Sequence, residues 1–398
     1  PSNWQRVRLG DIGKPCMCKR VMKHQTTRYG EIPFYKIGTF GNTADAFISK
    51  KLFLEYKTKY SFPKKGDILI SASGTIGRAV IYDGKSAYFQ DSNIVWIDND
   101  ETLVKNDFLF YVYSHVKWNT EHTTILRLYN DNFKNTLIPL PPLNEQIAIA
   151  NILSGLDHYL YSLDALILKK ESVKKALSFE LLSQRKRLKG FNQAWQRVRL
   201  GDMTTSFTKQ TGFDYSASIK PTLIKEQLPN YIPFIQNKDF SGHYINYKTD
   251  YFIPNEIAIR FPQILLNEKC LLISIVGSIG NVAVFNHSQD AFTGCAIAVL
   301  KFKEKKSLDF VMHFLMSASG QKSLLNIVKA SSHKSIILAD LRDLLIPLPP
   351  LNEQIAIANI LSALDNEIAS LKNKKRQFDN IKKALNHDLM SAKIRVLK

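Results

Sequence analysis

The chain of 398 residues contains no run of about 18 apolar residues, the length that a helix needs to cross a membrane. Its first residues, PSNWQRVRLGD, lack the apolar core of a secretory signal peptide. These two absences predict a protein with no membrane partner and no secretory leader. We therefore expect a cytoplasmic protein.

Cysteine is scarce, and the four examples are Cys16, Cys18, Cys270 and Cys295. Their spacing matches neither a disulfide framework nor the paired CxxC motifs of a zinc site. Cys16 and Cys18, two positions apart, remain a weak candidate for binding a metal. The scarcity favours free thiols in a reducing cytoplasm. We expect no metal and no cofactor in this chain.

Acidic residues are few compared with basic ones. The sequence has 35 aspartates and glutamates against 54 lysines and arginines, which gives a formal net charge of +19. A charge of this size and sign favours a polyanionic partner such as nucleic acid. The alternative that charge alone leaves open is a soluble basic protein without such a partner.

The sequence also lacks the motifs of enzymes that a chain of this length can form. AVIYDGKS, at 79–86, fits the loose form of the phosphate-loop pattern, but it predicts a strand, an Asp-Gly turn and a second strand. The prolines lie in LPPL, without the flanking polar and aromatic residues with which an adenine methyltransferase holds its base. Glu55 and Glu304 begin Glu-x-Lys fragments, but neither has an obvious acidic partner for a nuclease metal. The nine histidines form no metal-binding cluster. These absences favour a protein that binds and does not catalyse.

What the sequence does have is an internal duplication. The segment LIPLPPLNEQIAIANILS, Leu137 to Ser154, recurs without one change at Leu345 to Ser362, 208 residues later. A second motif, WQRVRLGD, begins at Trp4 and again at Trp195, 191 residues later. A repeat with so long a period indicates tandem domains rather than a solenoid. We predict two bodies, residues 1–136 and 191–344, followed by hinge-and-helix segments at 137–190 and 345–398.

Both bodies contain short β-branched or aromatic runs bounded by Gly, Pro, Asn and Asp, which predict strands. These runs are 32–40, 66–73, 77–83 and 92–98 in the first body, and 232–240 and 270–285 in the second. Residues 107–119 predict a helix capped by Asp107, and 307–320 are its counterpart. Each body is therefore predicted to be a mixed α/β domain, which makes the chain α+β.

After each body, the PLPP hinge cannot be helical, because each proline fixes φ and favours extended geometry in the residue before it. A helix is predicted to begin near Leu143 or Asn144, with Asn144 as its N-cap and Glu145 in its first turn. The two helices could extend over 143–190 and 351–398, 48 residues each. At about 1.5 Å per residue, that is up to roughly 70 Å.

Both helices carry apolar residues at heptad spacing. In the first helix the two sets are Ile149, Leu156, Leu163, Lys170 and Leu177, and Ile152, Tyr159, Leu166, Val173 and Glu180. In the second helix one set is Ile357, Leu364, Leu371, Phe378 and Leu385, with Leu361 and Ile368 beside it. The companion set there is Ile360, Glu367, Lys374, Ile381 and Asp388, of which only the two isoleucines are apolar. Heptads sustained over several turns predict a coiled coil. We expect the two helices to pair antiparallel about a pseudo-twofold axis, because neither can bury its stripe alone.

These motifs resemble those of the specificity subunit of type I restriction–modification systems. The resemblance rests on PLPPLNEQIAIANIL before a coiled coil, WQRVRLGD before each body and GDILISASGTIG in the first body, and it spans the whole chain. It implies that each body is a target-recognition domain for one half of a split double-stranded DNA sequence, and that the helices fix the spacing between the halves.

The resemblance also implies partner subunits. The helices would dock modification subunits, which methylate adenine, and a translocating restriction subunit would complete the assembly. S-adenosylmethionine, ATP and Mg are then expected on those partners. No catalytic residue is expected in this chain.

Candidate DNA-binding residues lie in loops beside the predicted strands. The segment Ser71 to Arg78 has small hydroxyl side chains and two glycines, which let the backbone approach a phosphate closely. Ser274 to Asn281 is its counterpart, and a β-turn kept for its shape is the alternative for both. The candidates are Arg28, Lys36, Lys59, Ser71, Ser73, Gly74, Thr75, Gly77, Arg78, Gln236, Asn237, Lys238, Ser274, Gly277, Ser278 and Asn281.

Candidate subunit-docking and hinge residues lie in the repeated motif. They are Pro141, Pro142, Glu145, Gln146, Pro349, Pro350, Glu353 and Gln354. For the glutamates and glutamines, helix capping and helix geometry are the alternative explanation.

Two other functions stay open at this point. One is a self-contained DNA-modifying or DNA-cleaving enzyme with an unrecognised site, whose activity would depend on Glu55 or Glu304. The other is a scaffold protein that has lost DNA recognition, which would bind partners without any sequence preference.

Overall fold

The computed structural model describes residues 4–122, 126–242, 244–329 and 334–396. The chain forms two compact units. Unit 1 consists of Pro1–Ala165 and Asn373–Lys398, and unit 2 is the continuous segment Leu166–Lys372. Unit 1 is therefore discontinuous in sequence, because the second half of its helical part comes from the far end of the chain.

The first body is a mixed α/β domain, as predicted. Its strands are β1 Gln5–Arg8, β2 Gly13–Met17, β3 Ile32–Tyr35, β4 Phe47–Ile48, β5 Ile68–Ser71, β6 Ala79–Ile81, β7 Tyr88–Phe89, β8 Ile94–Asn99, β9 Glu121–His122, β10 Leu126–Arg127 and β11 Leu137–Leu140. Its helices are α1 Leu9–Ile12, α2 Lys50–Lys59, α3 Asn106–Tyr113 and α4 Asn130–Asn135. The helix α5, Leu143–Leu182, follows.

A four-stranded antiparallel sheet, in the order β2-β8-β5-β6, lies at the centre of the first body. Successive side chains of a strand point to opposite faces. In β5, Ile68 and Ile70 pack into the core shared with α3 and α5, while Leu69 packs into a second core beneath the three-stranded sheet β4-β3-β7. Burial on both faces explains why this run is continuously apolar.

The second body repeats this plan with longer connections. Its strands are β12 Gln196–Arg199, β13 Thr204–Lys209, β14 Tyr231–Ile235, β15 Phe240–Ser241, β16 Tyr244–Ile245, β17 Phe252–Pro254, β18 Cys270–Ser274, β19 Val282–Phe285, β20 Phe292–Thr293, β21 Ile297–Phe302, β22 Val328–Lys329, β23 Ser335–Ile336 and β24 Leu345–Leu348. Its helices are α6 Gly212–Asp214, α7 Asn255–Ala258, α8 Leu308–Met316, α9 Ala318–Asn326 and α10 Leu338–Arg342, and α11, Leu351–Met390, follows.

The two main sheets of the second body match those of the first strand for strand, and β15 and β16 form a further two-stranded sheet in the second body. The order β13-β21-β18-β19 corresponds to β2-β8-β5-β6, and β17-β14-β20 corresponds to β4-β3-β7. In both three-stranded sheets one neighbour is antiparallel and the other parallel. The internal repeat read from two short motifs therefore extends through the whole body.

The two repeated motifs pair with each other inside each unit. Strand β1 of WQRVRLGD runs antiparallel to β11 of LIPL, with Arg6 opposite Pro139. Strand β12 and β24 form the same two-stranded ladder in unit 2. Proline is tolerated in this pairing because the backbone N–H that it lacks would point away from the partner strand. The hinge is thus extended, as predicted.

The long helices begin where the sequence indicated, at Leu143 and Leu351, but they end earlier than expected. Each is 40 residues long rather than 48, because the chain leaves the helix at Leu182 and Met390. Two residues later, Gln184 and Ala392 adopt left-handed backbone conformations, with φ of 60° and 53°. Within the described residues, no helix is long and apolar enough to cross a membrane.

The helices pair antiparallel within each unit. In unit 1, Asp157 and Asp164 of α5 contact Lys382 and Lys375 of α11 in reverse order. In unit 2, Lys170 and Lys174 pair with Glu367 and Asp365. The mixed α/β bodies and the two long, paired helices confirm the predicted fold class.

The predicted seam of α5 was half right. Ile149 and Leu163 are buried as expected, but Ile152, Leu166 and Val173 are 38–40% exposed. The second buried row of α5 lies one residue C-terminal to the predicted row and consists of Leu153, Leu160 and Ile167. In α11, Leu361 and Ile368 are buried in the same way, so they belong to the seam itself.

Two predicted N-caps differ from the structure. Lys105, not Asp107, is the N-cap of α3, and that helix ends at Tyr113 rather than at 119. Asn144 lies inside α5, where the Pro142 carbonyl accepts from the backbone N–H groups of Glu145 and Gln146. The proline hinge therefore supplies the first helical acceptor, so the side chain of Asn144 is not needed as a cap.

Candidate nucleic-acid interface

The segments Ser71 to Arg78 and Ser274 to Asn281 form the same turn. In the first, the Ser71 hydroxyl donates to the Thr75 carbonyl, and the Gly77 N–H donates to the Ser71 carbonyl over 2.9 Å. In the second, the Ser274 hydroxyl donates to the Ser278 carbonyl over 2.6 Å, and the Gly280 N–H repeats the backbone bond over 3.0 Å. We call these segments the reading turns, after the DNA contact that the sequence predicts for them.

Glycine gives each reading turn its backbone conformation. Gly74 and Gly77 have φ of 65° and 82°, and Gly277 and Gly280 have φ of 77° and 89°. L-residues adopt this region only at a cost. The turn is therefore built for its shape, which agrees with the alternative interpretation of these segments.

Only part of each reading turn faces solvent. Ser71, Ser73 and Ser274 are at most 8% exposed, and their hydroxyl groups bond within the protein. The exposed positions are Gly74, Thr75 and Arg78 in the first turn and Gly277 and Ser278 in the second. The serines shape the turn, and DNA contact by any of these residues stays a prediction.

The structure brings each reading turn beside the segment that follows β3 or β14. In unit 1, the Arg78 guanidinium donates to the Phe40 carbonyl over 3.0 Å. In unit 2, the Asn237 side-chain amide donates to the Val276 carbonyl over 2.6 Å. Residues predicted from separate parts of the sequence, such as Asn237 and Gly277, are therefore neighbours.

Other predicted cations already have ion-pair partners. Lys36 lies 2.8 Å from Asp45, Lys59 pairs with Glu55 at 3.1 Å, and Lys238 pairs with Asp250. Each of these pairs is largely exposed, so each costs little to open. Arg28 lies in an exposed loop beside Tyr29, but the loop predicted for Lys59 is wrong, because Lys59 is the last residue of helix α2. Among the described residues, no hydrogen bond or ion pair joins Arg28 or Lys59 to the reading turn.

A basic cleft beside the first reading turn contains residues that the sequence did not single out. Its volume is about 470 Å³. Its polar lining consists of Arg20, Lys23, Lys36, Gln90, Asn93 and Arg127, together with Thr26, Asp91 and Ser92. Only Lys36 of these was predicted. We define this group as the basic cleft.

Hydrogen bonds hold the basic cleft against the reading turn. The Ser73 hydroxyl donates to the Asn93 side-chain oxygen over 2.8 Å, and Ser73 forms a β-bridge with Arg127. Arg127 in turn donates to the Ser92 carbonyl over 2.9 Å. No sequence signal could have found Arg127, because only the folded chain places it beside a turn that lies far away in sequence.

The second body has the same scaffold at this place but different side chains. Val276 occupies the position of Ser73 and forms the equivalent β-bridge with Ser335, where Ser73 has Arg127. The Ile275 backbone N–H donates to the Ala296 carbonyl, just as the Ala72 N–H donates to the Asn93 carbonyl in the first body. The surface of one body therefore presents arginine and asparagine where the other presents serine and alanine.

The predicted docking residues make their contacts inside unit 1. The Glu145 carboxylate is 2% exposed, and both of its oxygens accept from the Arg395 guanidinium, over 2.6 and 2.8 Å. The Trp4 indole N–H also donates to it, over 3.1 Å. Gln146 is fully buried, accepts from the Lys105 N–H and donates to the Pro141 carbonyl.

Unit 2 repeats this arrangement. Glu353 is fully buried and accepts from the Arg187 guanidinium over 2.7 Å and from the Trp195 indole over 3.2 Å. Gln354 donates to the Pro349 carbonyl over 2.7 Å. These four helix-start residues fix their own hinge, next to Pro142 and Pro350. A docking role for them stays a prediction.

The fragments weighed for catalysis occupy ordinary structural positions. Glu55 lies on the exposed face of α2, and Glu304 caps a short 3-10 turn by accepting from the Lys306 N–H. The segment at 79–86 runs from β6 into a turn at Gly84, with φ of 87°, and no helix follows it before β7. In the part of the chain that the structure describes, no three histidine, cysteine or acidic side chains could hold a metal ion together.

The chain is similar to proteins of one family over nearly its whole length. The family described as the type I restriction modification DNA specificity domain matches residues 1–171 and 192–378. A Haemophilus influenzae protein with a provisional name as a type I restriction enzyme specificity subunit is 64% identical over 148 residues, which are 37% of this chain and 38% of that protein. A type I restriction enzyme specificity subunit of Methanocaldococcus jannaschii is 27% identical over the full chain and 94% of its own length.

Solved structures of the same kind share the fold. The S subunit of a type I restriction–modification system from M. genitalium aligns over 98% of this chain and 96% of its own, with a TM-score of 0.65 and 18% identity. A chain from a structure on complex assembly and conformational transition of the type I system aligns over 98% of both chains, with a TM-score of 0.55 and 19% identity.

Proposed function

The chain belongs to the family of the type I restriction modification DNA specificity domain, with one match on each half of its internal repeat, and we propose from this premise that each body binds one half of a split DNA target. Two recognition domains in a specificity subunit fit a bipartite sequence. The proposal places base readout on the reading turns and on the surfaces beside them. The helices α5 and α11 then set the unread gap.

One observation carries this proposal. The two bodies keep the same main sheets and the same turn, yet they differ in the chemistry of the half-buried side chains beside that turn. Arginine and lysine favour guanine edges and phosphates, whereas short polar side chains favour other contacts in the groove. A scaffold kept twice with different surfaces is what two readers of different half-sites require.

The net charge of +19 supports a DNA partner. Phosphate contacts by lysine and arginine release counterions, so binding should weaken steeply as salt rises. The basic cleft provides Arg20, Lys23, Lys36 and Arg127 for such contacts in unit 1. Base-edge contacts would then come from Gln90 and Asn93.

We further propose that partner subunits carry the chemistry. The modification subunits, with S-adenosylmethionine, and the translocating restriction subunit, with ATP and Mg, would assemble on this chain in the cytoplasm. The exposed apolar residues Leu166 and Val173, both on the part of α5 that belongs to unit 2, support a docking role for that helix. The alternative of a self-contained enzyme is not favoured, since Glu55 and Glu304 occupy structural positions in the fold.

The deciding experiment is single-molecule sequencing of DNA from cells with and without this gene, scored for methylated adenine. We expect a split motif that disappears when the gene is deleted. If no split motif depends on the gene, binding of DNA by the purified chain decides between a silent partner and a scaffold without recognition.

A substitution then tests the basic cleft. We expect Lys36→Ala to weaken DNA binding and to lower the slope of log affinity against log salt by about one, because one phosphate contact is lost. Lys85→Ala is the matched control, since Lys85 is an exposed lysine paired with Asp83 at 3.0 Å on another loop. Equal effects of the two substitutions in salt titrations would argue against the basic cleft as the DNA-contacting surface.

A further inference from the structure

An aspartate of α5 joins three elements of unit 1. Asp157 accepts from the Tyr111 hydroxyl of α3 over 2.8 Å, and its other oxygen pairs with the Lys382 ammonium of α11. Burial and the Asp157 carboxylate raise the pKa of Tyr111, so its hydroxyl stays a donor. One side chain therefore ties the first body to both helices.

Unit 2 contains a related junction built from repeat-related residues, in which a histidine replaces the tyrosine and lies further from the aspartate. Asp365 pairs with the Lys174 ammonium, and the His313 ring of α8 lies 3.9 Å from its second oxygen. Asp365 and Asp157 are 208 positions apart, and so are Lys382 and Lys174. The helices have exchanged roles, because the aspartate now belongs to α11 and the lysine to α5.

Further polar contacts surround both junctions. In unit 2, His313 Nε2 lies 2.8 Å from the Ser362 hydroxyl, and the Tyr244 hydroxyl donates to the Asn366 side chain over 2.7 Å. In unit 1, the Asn386 amide donates to the Ser114 hydroxyl over 2.8 Å. The helix of each body that follows its central sheet, α3 or α8, therefore meets the long helices through directional bonds.

Directional bonds matter here because apolar packing alone fixes orientation poorly. The hydrophobic effect is non-directional, so a body held only by apolar contacts could rotate at small cost. Hydrogen bonds to charged groups are shorter and stronger than neutral ones and depend on angle. Adjacent nucleotides of a strand are only about 3.4 Å apart along the duplex. A small rotation of a body would thus move its reading turn by one base pair.

We propose that Asp157 and Asp365 are positioning residues that orient each body on its helices and thereby fix the gap between the half-sites. This inference rests on the proposed function. It assigns gap discrimination to two carboxylate junctions, in addition to the length of the helices. The junctions touch no DNA and act through the bodies that they hold.

The test measures gap discrimination directly. Cells that carry the gene and its modification subunits receive plasmids bearing the split motif with its natural gap, or with the gap one base pair shorter or longer. Long-read sequencing gives the methylated fraction of each plasmid. The readout is the ratio of methylation at the natural gap to methylation at the altered gaps.

Two substitutions remove the two arms of the unit 1 junction. Tyr111→Phe removes the hydroxyl and keeps the ring, and Lys382→Met removes the ammonium. We expect each to lower the ratio by about tenfold, the effect of one hydrogen bond to a charged group. Lys375→Met is the matched control. Lys375 lies one heptad from Lys382 and pairs with Asp164 at 2.8 Å, and this ion pair joins α5 to α11 without involving the first body. This control should leave the ratio unchanged.

The outcomes separate this inference from the function on which it rests. If the wild-type chain directs no split motif, the proposed function fails. If it does, and Tyr111→Phe keeps the wild-type ratio, the positioning role is wrong. A merely structural role would lower methylation of all plasmids alike and leave the ratio unchanged, which also contradicts the proposal. Should Lys382→Met abolish methylation, the milder Tyr111→Phe and the unit 2 counterpart His313→Phe decide.

Discussion

At the scale of single residues, some polar side chains that the sequence predicts to contact DNA form hydrogen bonds with the protein's own backbone instead. The sequence predicts Ser71 and Ser274 as small hydroxyl donors beside glycine, yet both hydroxyls bond to carbonyls of their own turn. Small polar residues serve both purposes, because they cap turns as readily as they contact phosphate. The residue type could therefore be predicted from the sequence, but its orientation could not.

Gly77 shows how tightly the first reading turn is packed. A Cβ at this position would lie 2.1 Å from the Trp118 ring nitrogen, and φ is 82°. We expect Gly77→Ala to destabilise the protein by about 3 kcal/mol or more, from strain plus overpacking. Gly66→Ala is the control, since Gly66 has φ of 94° and no heavy atom within 4 Å of its Cβ position. It should cost only about 1–2 kcal/mol in chemical denaturation.

The cysteines provide a second test at this scale. Burial raises the pKa of Cys18 and of Cys270 to about 12. At pH 8 only about one in ten thousand of these groups is a thiolate, the reactive form. We expect an alkylating reagent to label Cys295 in the folded protein well before Cys18 and Cys270, and all four cysteines after denaturation. Mass spectrometry of the labelled peptides measures this, and equally fast labelling of Cys270 in the folded state would contradict the described burial.

At the scale of elements, the sequence predicted where helices begin better than how they pack and end. The proline hinge sets the start of α5 and α11, because each proline favours extended backbone in the residue before it and is compatible with the first turn of a helix after it. The seam was ambiguous, because the sets 152, 159, 166 and 153, 160, 167 are both apolar. The partner helix decides which residues are covered. It covers the second set together with Tyr159, whose ring centroid lies 4.7 Å from that of Phe378 in α11. The helix ends were missed because Gln184 and Ala392 take a left-handed conformation that glycine usually signals.

The choice of seam can be measured with two leucines of α5. Leu153 is fully buried, whereas Leu166 is 38% exposed. We expect Leu153→Ala to lower the free energy of unfolding by about 2–5 kcal/mol, because it leaves a cavity. Leu166→Ala should change it by less than about 1 kcal/mol. If denaturant unfolding gave the reverse order, the seam originally predicted from the heptads would be correct.

At the scale of the whole molecule, each unit is closed by a segment from far along the chain. Arg395 completes the Glu145 site, and Arg187 completes the Glu353 site. These two arginines are 208 positions apart, so the internal repeat extends into the segments that follow both long helices. The sequence could not predict these contacts. The repeat shows that the hinge glutamates correspond to each other, but only the folded chain shows that each one pairs with an arginine that follows the other long helix.

Because unit 1 includes the segment Asn373–Lys398, a substitution in that segment should affect unit 1 and leave unit 2 unchanged. Arg395→Met leaves the buried Glu145 carboxylate without its cation, which should destabilise unit 1. We expect faster hydrogen exchange in β5 of unit 1 and unchanged exchange in β18 of unit 2. Arg187→Met should produce the opposite pattern. Lys393→Met, which removes only an exposed pair with Asp388 at 3.7 Å, is the control and should change neither strand.

The order of synthesis gives the split unit a further consequence. Asp157 and Glu145 leave the ribosome long before their cations, which lie 225 and 250 residues further along the chain. At about 5–20 residues per second, the nascent first body waits roughly 10–50 s with two carboxylates and an apolar helix face uncovered. Unit 2, a continuous segment, can close during that interval. Translation speed and chaperone supply should therefore govern the yield of unit 1 more than that of unit 2.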